Sequence, residues 1–115
     1  MLIPELELVV SCVNLKTGEM KLFRRTDDRI YPTADIHKNP MDVAKELFES
    51  IFNTTAEWPR FNFIGCGFTD KLIVTISVMI PEDIKVSDGY PGEWIALSKL
   101  KEEEVANVRK SLRFN

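Results

Sequence analysis

The sequence predicts an α/β fold in which a mixed β-sheet lies between helices. Three observations predict it: two apolar runs joined by a short glycine-bearing turn, one well-marked amphipathic helix, and a long alternating strand in the second half of the chain. Hydrophobic residues make up 44% of the 115 residues and charged residues 29%, a balance typical of globular proteins. Because a chain of this length supports one core, we expect a single domain over residues 1–115.

The first two strands form a predicted hairpin. Residues 6–15 are largely apolar at both alternating positions, which is typical of a strand covered on both faces. Residues 16–19 supply a turn that contains Gly18, and residues 20–23 return as a second strand. Residues 27–39 are mostly polar, so we expect an irregular loop between this hairpin and the first helix.

The helix that follows has clear ends. Asn39 is a favourable N-cap, and Pro40 suits the first helical position because its missing N–H needs no partner there. Asn53 is the expected stop. Apolar residues recur between these ends at helical spacing, namely Val43, Ala44, Leu47, Phe48, Ile51 and Phe52.

The second half of the chain predicts three more strands and a last helix. Residues 61–68 and 72–80 are two β-like runs separated by a short polar turn, and the second alternates most regularly of all. A loop rich in turn residues leads to a short strand at 93–97. Ser98 is a favourable cap for a final helix, whose apolar stripe consists of Val105, Val108 and Leu112.

Charge and composition exclude several classes of function. The net charge of −3 gives no general attraction for nucleic acid or anionic lipid. No apolar stretch reaches the ~20 residues of a membrane span and no leader precedes the first strand, so we expect a cytoplasmic location. Cys12 and Cys66 lie in apolar runs, where buried free thiols are expected.

The order of elements and three landmarks resemble the Nudix superfamily over residues 6–112. Residues 22–25 (Leu-Phe-Arg-Arg) are similar to the family's second strand, residues 31–53 to its loop and catalytic helix, and residues 92–97 (Gly-Glu-Trp-Ile-Ala-Leu) to its closing strand. The resemblance implies an α/β/α sandwich. It also implies a cleft for nucleoside diphosphate derivatives, which most members hydrolyse.

Active members of that family carry a box in the loop and helix: a glycine, five residues, a glutamate, seven residues, Arg-Glu, an aliphatic residue, any residue, Glu-Glu, any residue and a closing glycine. Glutamates one helical turn apart jointly hold divalent cations, which bridge phosphate oxygens and activate a water. An ungapped helix register keeps glutamates at Glu46 and Glu49, and has Ser50 at the third acidic position and Phe52 at the closing glycine.

A second register aligns Pro32 and Pro40 with prolines of the family and needs a two-residue deletion between them. It places Leu47, Ser50 and Ile51 at the three acidic positions, so no metal site remains. Amphipathicity favours the first register, because Glu46 and Glu49 then face outward. The box is eroded in both.

Two interpretations compete for the acidic residues of the helix. Asp42, Glu46 and Glu49 are spaced by four and three residues, so they share one helix face. A solvated face has the same pattern and is the commoner explanation. If hydrolysis survives, Glu46 and Glu49 are the candidate catalytic and metal residues, with Mg²⁺ or Mn²⁺ as the cofactor; otherwise we expect none.

Four other residues are candidates for ligand binding. Arg24 and Arg25 suit phosphates, although strand alternation puts one of them on the opposite face. Tyr31 precedes a proline in the loop and could stack on a base, as could Tyr90, whereas Trp58 and Trp94 are more typical of a core. His37 is the single histidine and a candidate base or ligand, although a loop histidine is usually just exposed.

Three functions remain open on this evidence. The favoured one is a non-catalytic module that binds a nucleotide, a nucleic-acid end or a protein partner in the cleft. The second is a divergent metal-dependent hydrolase that borrows a third acid, Glu82 or Asp83. The third is an interaction domain that forms a homodimer, or docks on a protein partner, through a sheet edge or the last helix.

Overall fold

The computed structural model describes residues 3–14, 16–26, 31–53, 60–68, 70–80 and 85–99. These residues form six strands, one α-helix and one 3-10 turn. In chain order the elements are β1 (Glu5–Val13), β2 (Met20–Arg25), β3 (Thr33–Asp35), α1 (Pro40–Phe52), β4 (Arg60–Phe68), β5 (Leu72–Ile80), β6 (Gly92–Ala96) and the 3-10 turn (Leu97–Lys99).

All six strands belong to one mixed sheet, with β1 near its centre. The strand order is β4, β5, β1, β2, β6, and β3 pairs with β1 beside β2. β1 runs parallel to β5, while all the other pairings are antiparallel. The predicted hairpin of β1 and β2 is confirmed, as are the two strands β4 and β5 and the mixed α/β class.

The sheet splits along one side of β1. Near its C-terminal end β1 pairs with β2, from Ser11 opposite Leu22 onward. Near its N-terminal end it pairs with β3, with Glu7 opposite Thr33. Between the two pairings, the Leu8 N–H donates to the Pro32 carbonyl at 2.9 Å. One long strand therefore serves two shorter partners that diverge at its middle.

The prediction of an irregular loop over 27–39 is wrong where β3 forms. The three residues of β3 carry no strong apolar pattern, and they become a strand because β1 offers unpaired backbone groups on that side. Ile36 continues the contact by donating its N–H to the Pro4 carbonyl. Pairing with a distant segment, rather than local sequence, makes this strand.

Helix α1 begins and ends at the predicted residues. The Asn39 side chain accepts a hydrogen bond from the Met41 N–H at 2.9 Å, and Pro40 opens the helix. At the other end Asn53 has φ 50° and ψ 43°, the left-handed conformation that terminates a helix, and its N–H donates to the Glu49 carbonyl.

The core lies between α1 and one face of the sheet, which we call the α1 face. The buried apolar residues on that side are Leu6, Leu8, Val10, Cys12, Phe23, Val43, Ala44, Phe48, Ile51, Phe52, Ile76, Val78 and Ile80. On the opposite face, Val9 and Leu22 form a smaller cluster with Met20, Tyr31 and Ile64 against it. Val9 and Val10 are both fully buried, so the centre of β1 is covered on both faces, as predicted.

The expectation of two buried thiols holds for Cys12 and is wrong for Cys66. Both cysteines are free, but Cys66 is exposed. Cys66 lies on β4, which has β5 on one side and no described strand on the other. The register of β4 against β5 also shifts between Phe63 and Gly65. An apolar run on an edge strand is not proof of burial.

The predicted final helix lies almost wholly outside the described residues. Ser98, its expected cap, belongs to the 3-10 turn, and the apolar stripe beyond it is among the residues not described. The second helical layer of the expected sandwich therefore stays a prediction. Among the described helices, none has the length and hydrophobicity needed to cross a membrane.

Candidate functional site

The two arginines stand where the sheet splits. β2 ends at Arg25, and β3 runs in the same direction beside the other half of β1. The end of β2 and the approach to β3 therefore meet near the middle of β1, where Leu8 contacts Pro32. This arrangement leaves polar side chains from two strand ends around one break in the sheet.

Arg24 and Arg25 point to different sides of the sheet. In the register of β2 against β6, Arg24 lies opposite Glu93 and Arg25 lies opposite Gly92. Because side chains alternate along a strand, Arg25 shares the α1 face with Phe23, and Arg24 shares the opposite face with Leu22. Both arginines are partly buried, and both interact with neighbouring groups.

Tyr31 joins Arg24 on the opposite face. Its ring is partly buried and packs against the cluster of Val9 and Leu22. A guanidinium and an aromatic ring thus border the same side of the split. Together they offer two kinds of contact that suit a nucleotide, hydrogen bonds to phosphate and stacking on a base.

His37 lies at the far end of β3 from Tyr31. It is exposed, and its Nδ1 is 3.2 Å from the Asp35 carbonyl oxygen. The three residues of β3 separate the two side chains. The structure therefore places Tyr31 and Arg24 on the same face of the sheet, Arg25 on the other face, and His37 at the far end of β3. Its exposure agrees with the ordinary reading of a loop histidine.

The acidic residues of α1 form an exposed stripe. Asp42, Glu46 and Glu49 all face away from the core. Glu46 Oε2 lies 2.6 Å from Lys38 Nζ, in a pair whose side chains are 56% and 42% exposed. An exposed ion pair of this kind contributes little to stability. It does place a positive charge beside one of the two candidate metal ligands.

The described part of the chain contains no cluster of three possible metal ligands. Magnesium needs several oxygen ligands converging on one point. Among residues 3–14, 16–26, 31–53, 60–68, 70–80 and 85–99, no three His, Cys, Asp or Glu side chains are grouped in this way. Glu82 and Asp83, the expected sources of a third acid, lie outside the described residues.

The aromatic residues near β6 belong to the core. The Trp94 ring stacks with Phe52 at 5.7 Å and meets the edge of Phe23 at 5.5 Å between centroids. The ring centroids of Tyr90 and Phe23 are 6.0 Å apart, so Tyr90 belongs to the same cluster. The core interpretation of Trp94 is confirmed. Trp58 lies outside the described residues.

A small hollow at the C-terminal end of α1 was not predicted from the sequence. It encloses about 160 Å³ and is lined by Phe52, Asn53, Lys85, Val86, Ser87 and Asp88. The Ser87 N–H donates to the Ile51 carbonyl, which fixes this loop to the end of the helix. No local motif marks these residues, because the hollow arises only when the loop folds against the helix.

Comparison with solved structures identifies this architecture. The Ap4A hydrolase of C. elegans superposes with a TM-score of 0.67 at 15% identity, over 99% of this chain and 98% of that one. The fold is Nudix-like. The NUDIX domain of Shewanella oneidensis NrtR, solved with ADP ribose, gives a TM-score of 0.66 at 7% identity, over 98% and 88% of the two chains.

The Nudix-like fold is also found in longer proteins. A MutT/nudix protein of Enterococcus faecalis gives a TM-score of 0.67 at 11% identity; it matches 84% of this chain, which spans 44% of its length. No protein-family model and no curated protein matches the sequence. At these identities the likeness establishes the fold, and the activity has to be argued from the residues.

Proposed function

We propose that this Nudix-like domain binds a nucleotide at the split in its sheet without hydrolysing it. The nucleotide class is supported by two structural neighbours, one named as an Ap4A hydrolase and one solved with ADP ribose. The lack of hydrolysis is supported by the residues of this chain. The main observation is the conformation of the chain at the C-terminal end of helix α1.

The conformation of Asn53 bears on how the eroded box aligns with the helix. The box closes on a glycine, and a glycine after a helix is most useful where the backbone turns left-handed. At the end of α1 the left-handed residue is Asn53, whereas Phe52 is the last residue of the helix and has its ring buried. The second register puts Asn53 at the closing glycine, and the first puts Phe52 there.

The burial of the helix supports the same register. The second register assigns the aliphatic position of the box to Phe48, which is fully buried. The first register assigns that position to Leu47, which is partly exposed. In the second register the three acidic positions hold Leu47, Ser50 and Ile51. Ile51 is fully buried in the core, and the Ser50 hydroxyl donates to the Leu47 carbonyl at 2.8 Å.

Without carboxylates at these positions, α1 lacks the groups that would hold catalytic metal. Leucine and isoleucine side chains have no oxygen to offer, and a serine hydroxyl is a weak neutral ligand. Glu46 and Glu49 remain on the helix, but Glu46 is paired with Lys38 and both face solvent. In this proposal the helix is a scaffold, and the nucleotide binds at the split on the face of the sheet opposite α1.

Arg24 and Tyr31 are the side chains we propose for contact with the nucleotide. They share the face opposite α1 and come from the two strand ends that meet at the split. A guanidinium can hold a phosphate with two parallel hydrogen bonds, and a phenol ring can stack on a base. In this proposal Arg25 and His37 lie off the contact surface.

Thermal unfolding with a panel of nucleotides tests the proposal. ADP, ATP, ADP-ribose and diadenosine tetraphosphate are each tested with EDTA and with Mg²⁺ or Mn²⁺. A ligand at 100 times its dissociation constant adds about 2.7 kcal/mol, which raises the melting temperature of a domain of this size by roughly 10 °C. We expect at least one nucleotide to give a shift of this kind in EDTA.

The controls separate binding at the split from binding elsewhere. Arg24→Gln and Tyr31→Ala should each reduce the shift, while His37→Gln, in an exposed residue away from the split, should leave it unchanged. A panel without any shift would contradict nucleotide binding. A shift that appears only with metal would contradict the metal-free site and favour the hydrolase.

A further inference from the structure

Most of the large apolar side chains left in solvent belong to β4 and β5. Among the described residues they are Ile3, Phe63, Phe68 and Leu72, with exposures of 55%, 50%, 74% and 38%. Phe68 and Leu72 are cross-strand partners at the tip of the β4 and β5 pair, and Phe63 lies farther along β4. Exposed phenylalanines grouped on one strand are unusual in a protein that works alone.

β4 also lacks the usual protection of an edge strand. It is nine residues long, and no described strand lies on its outer side. Edge strands are normally protected by charged residues, prolines or extreme shortness. Apart from the exposed Arg60 at its first position, β4 contains no charged residue and no proline. This arginine and the bulge near Ile64 are the protective features of the strand.

The bulge determines which side chains share a face. Before it, Phe61 and Phe63 pair with Val78 and Ile76, which belong to the α1 face. After it, Cys66 and Phe68 pair with Val74 and Leu72, which lie on the same face of β5 as Ile76 and Val78. The extra residue, Ile64, packs instead with the cluster on the opposite face. The apolar side chains of β4 are therefore collected on the α1 face in spite of the bulge.

We propose that β4 pairs antiparallel with β4 of a second copy of this chain, so that two sheets join into one. Antiparallel partners must place side chains of the same face opposite each other. With the bulge, one register satisfies this along the whole strand, with a two-fold axis between Ile64 and Gly65. Phe61 then lies opposite the second copy's Phe68, and Phe63 opposite its Cys66.

This self-complementary pattern is the reason to choose a second copy over another protein. In this register the exposed Phe68 of each copy faces Phe61 of the other, a partly buried ring that also packs against Phe48 of its own core. Phe63 faces Cys66 near the middle, and aromatic pairs and ring–sulfur contacts are both favourable. No charge is placed opposite a like charge between residues 61 and 68. Nothing in the strand requires a partner of different sequence.

The exposed area predicts a weak dimer. From the exposures of Phe63 and Phe68, the two rings offer roughly 250 Å² of apolar surface per copy. A stable interface buries about 800 Å² per partner. The backbone of the joined strands supplies part of the difference, and the dimer should form only at micromolar concentrations or above.

Disulfide trapping tests the register directly. Phe63→Cys places a thiol opposite the second copy's Cys66, at a spacing that an antiparallel strand pair allows a disulfide to bridge. We expect mild oxidation to convert this variant to a covalent dimer on a non-reducing gel. Wild type, in which Cys66 is exposed and Cys12 is buried, and Phe63→Cys combined with Cys66→Ser should both remain without a covalent cross-link. A covalent dimer in the latter double variant would contradict the register.

Sedimentation velocity tests the dimer without a cross-link. Between about 5 and about 500 μM, wild type should shift from monomer toward dimer, as expected for a small interface. Phe68→Lys should raise the dissociation constant at least tenfold, while Asp42→Lys, on the exposed face of α1, should leave it unchanged. A wild-type monomer at every concentration, or a dimer insensitive to Phe68→Lys, would overturn the proposal.

Discussion

Gly92 lies against the Cζ end of the Phe23 ring, in a space that only glycine fits. A Cβ at position 92 would come 2.9 Å from Phe23 Cε1 and 3.0 Å from Cε2, and closer still to Cζ. The ring cannot retreat, because it is fully buried and also meets Phe52 at 5.0 Å and Trp94 at 5.5 Å between centroids. This contact joins β2 to β6 and anchors the strand that ends in the two arginines.

Gly92→Ala should therefore destabilise the domain by about 1–3 kcal/mol, the usual cost of overpacking a core. The control is Gly67→Ala, since a Cβ at position 67 would meet nothing within 4 Å and its φ is not positive. That change should be neutral or slightly stabilising. Urea unfolding at low protein concentration measures both, and equal effects would contradict the packing described for Phe23.

Asn53 provides a test of the helix end on which the proposed box register depends. A residue with a Cβ costs roughly 1–2 kcal/mol in the left-handed conformation, and asparagine tolerates it better than most. We expect Asn53→Gly to be at least as stable as wild type and Asn53→Ala to be less stable by about 1 kcal/mol. The reverse order in chemical unfolding would show that the helix does not end as described.

Glu7 should make the stability fall as pH rises through the mildly acidic range. Partial burial raises the pKa of this carboxyl above its ordinary value of 4.5, the hydrogen bond from Thr75 lowers it, and the charge of Glu5 raises it. The folded chain thus holds a proton that the unfolded chain releases, so stability decreases as the pH rises from about 4.5 through the folded-state pKa.

Replacing Glu7 by glutamine should remove that pH dependence. Glu7→Gln should be more stable than wild type at pH 7, and the advantage should shrink toward pH 4.5. Thr75→Val removes the hydrogen bond that lowers the pKa of Glu7. The loss of stability with rising pH should therefore be larger in this variant than in wild type. Urea unfolding at a series of pH values checks both, and a constant difference between Glu7→Gln and wild type would contradict the pKa shift.

The opposite orientation of the two arginines predicts that a nucleotide will distinguish them. A hydrogen bond to a charged group is worth about 1.5–3 kcal/mol, so Arg24→Gln should raise the dissociation constant about tenfold or more. Arg25→Gln, on the α1 face, should change it less than threefold. Titration calorimetry measures both, and a larger loss for Arg25→Gln would move the ligand to the other side of the sheet.

The features predicted from sequence are those encoded by adjacent residues. Helix α1 was located to the residue because Asn39, Pro40 and Asn53 act on their own neighbours. The strands β4 and β5 were predicted to within a residue, β4 as a β-like run and β5 by its alternation. The opposite faces of Arg24 and Arg25 follow from the same period of two.

The features that sequence did not predict arise from contacts between distant segments. β3 is a strand because β1 needs a partner, and its own three residues give no such signal. Cys66 is exposed because β4 lies at the edge of the sheet, which its composition alone does not reveal. At the site, the placement of Arg24 and Tyr31 on one face of the sheet depends on the divergence of two strands from β1, which no local pattern encodes.

The most direct test of the central claim is turnover of the nucleotide that binds best, measured with and without Mn²⁺ by separating the products. The domain should bind the nucleotide equally well in EDTA and form no product with metal, and Glu46→Gln and Glu49→Gln should behave like wild type. Metal-dependent product formation that is lost in both glutamine variants would contradict the account. It would show that Glu46 and Glu49 hold a catalytic cation after all.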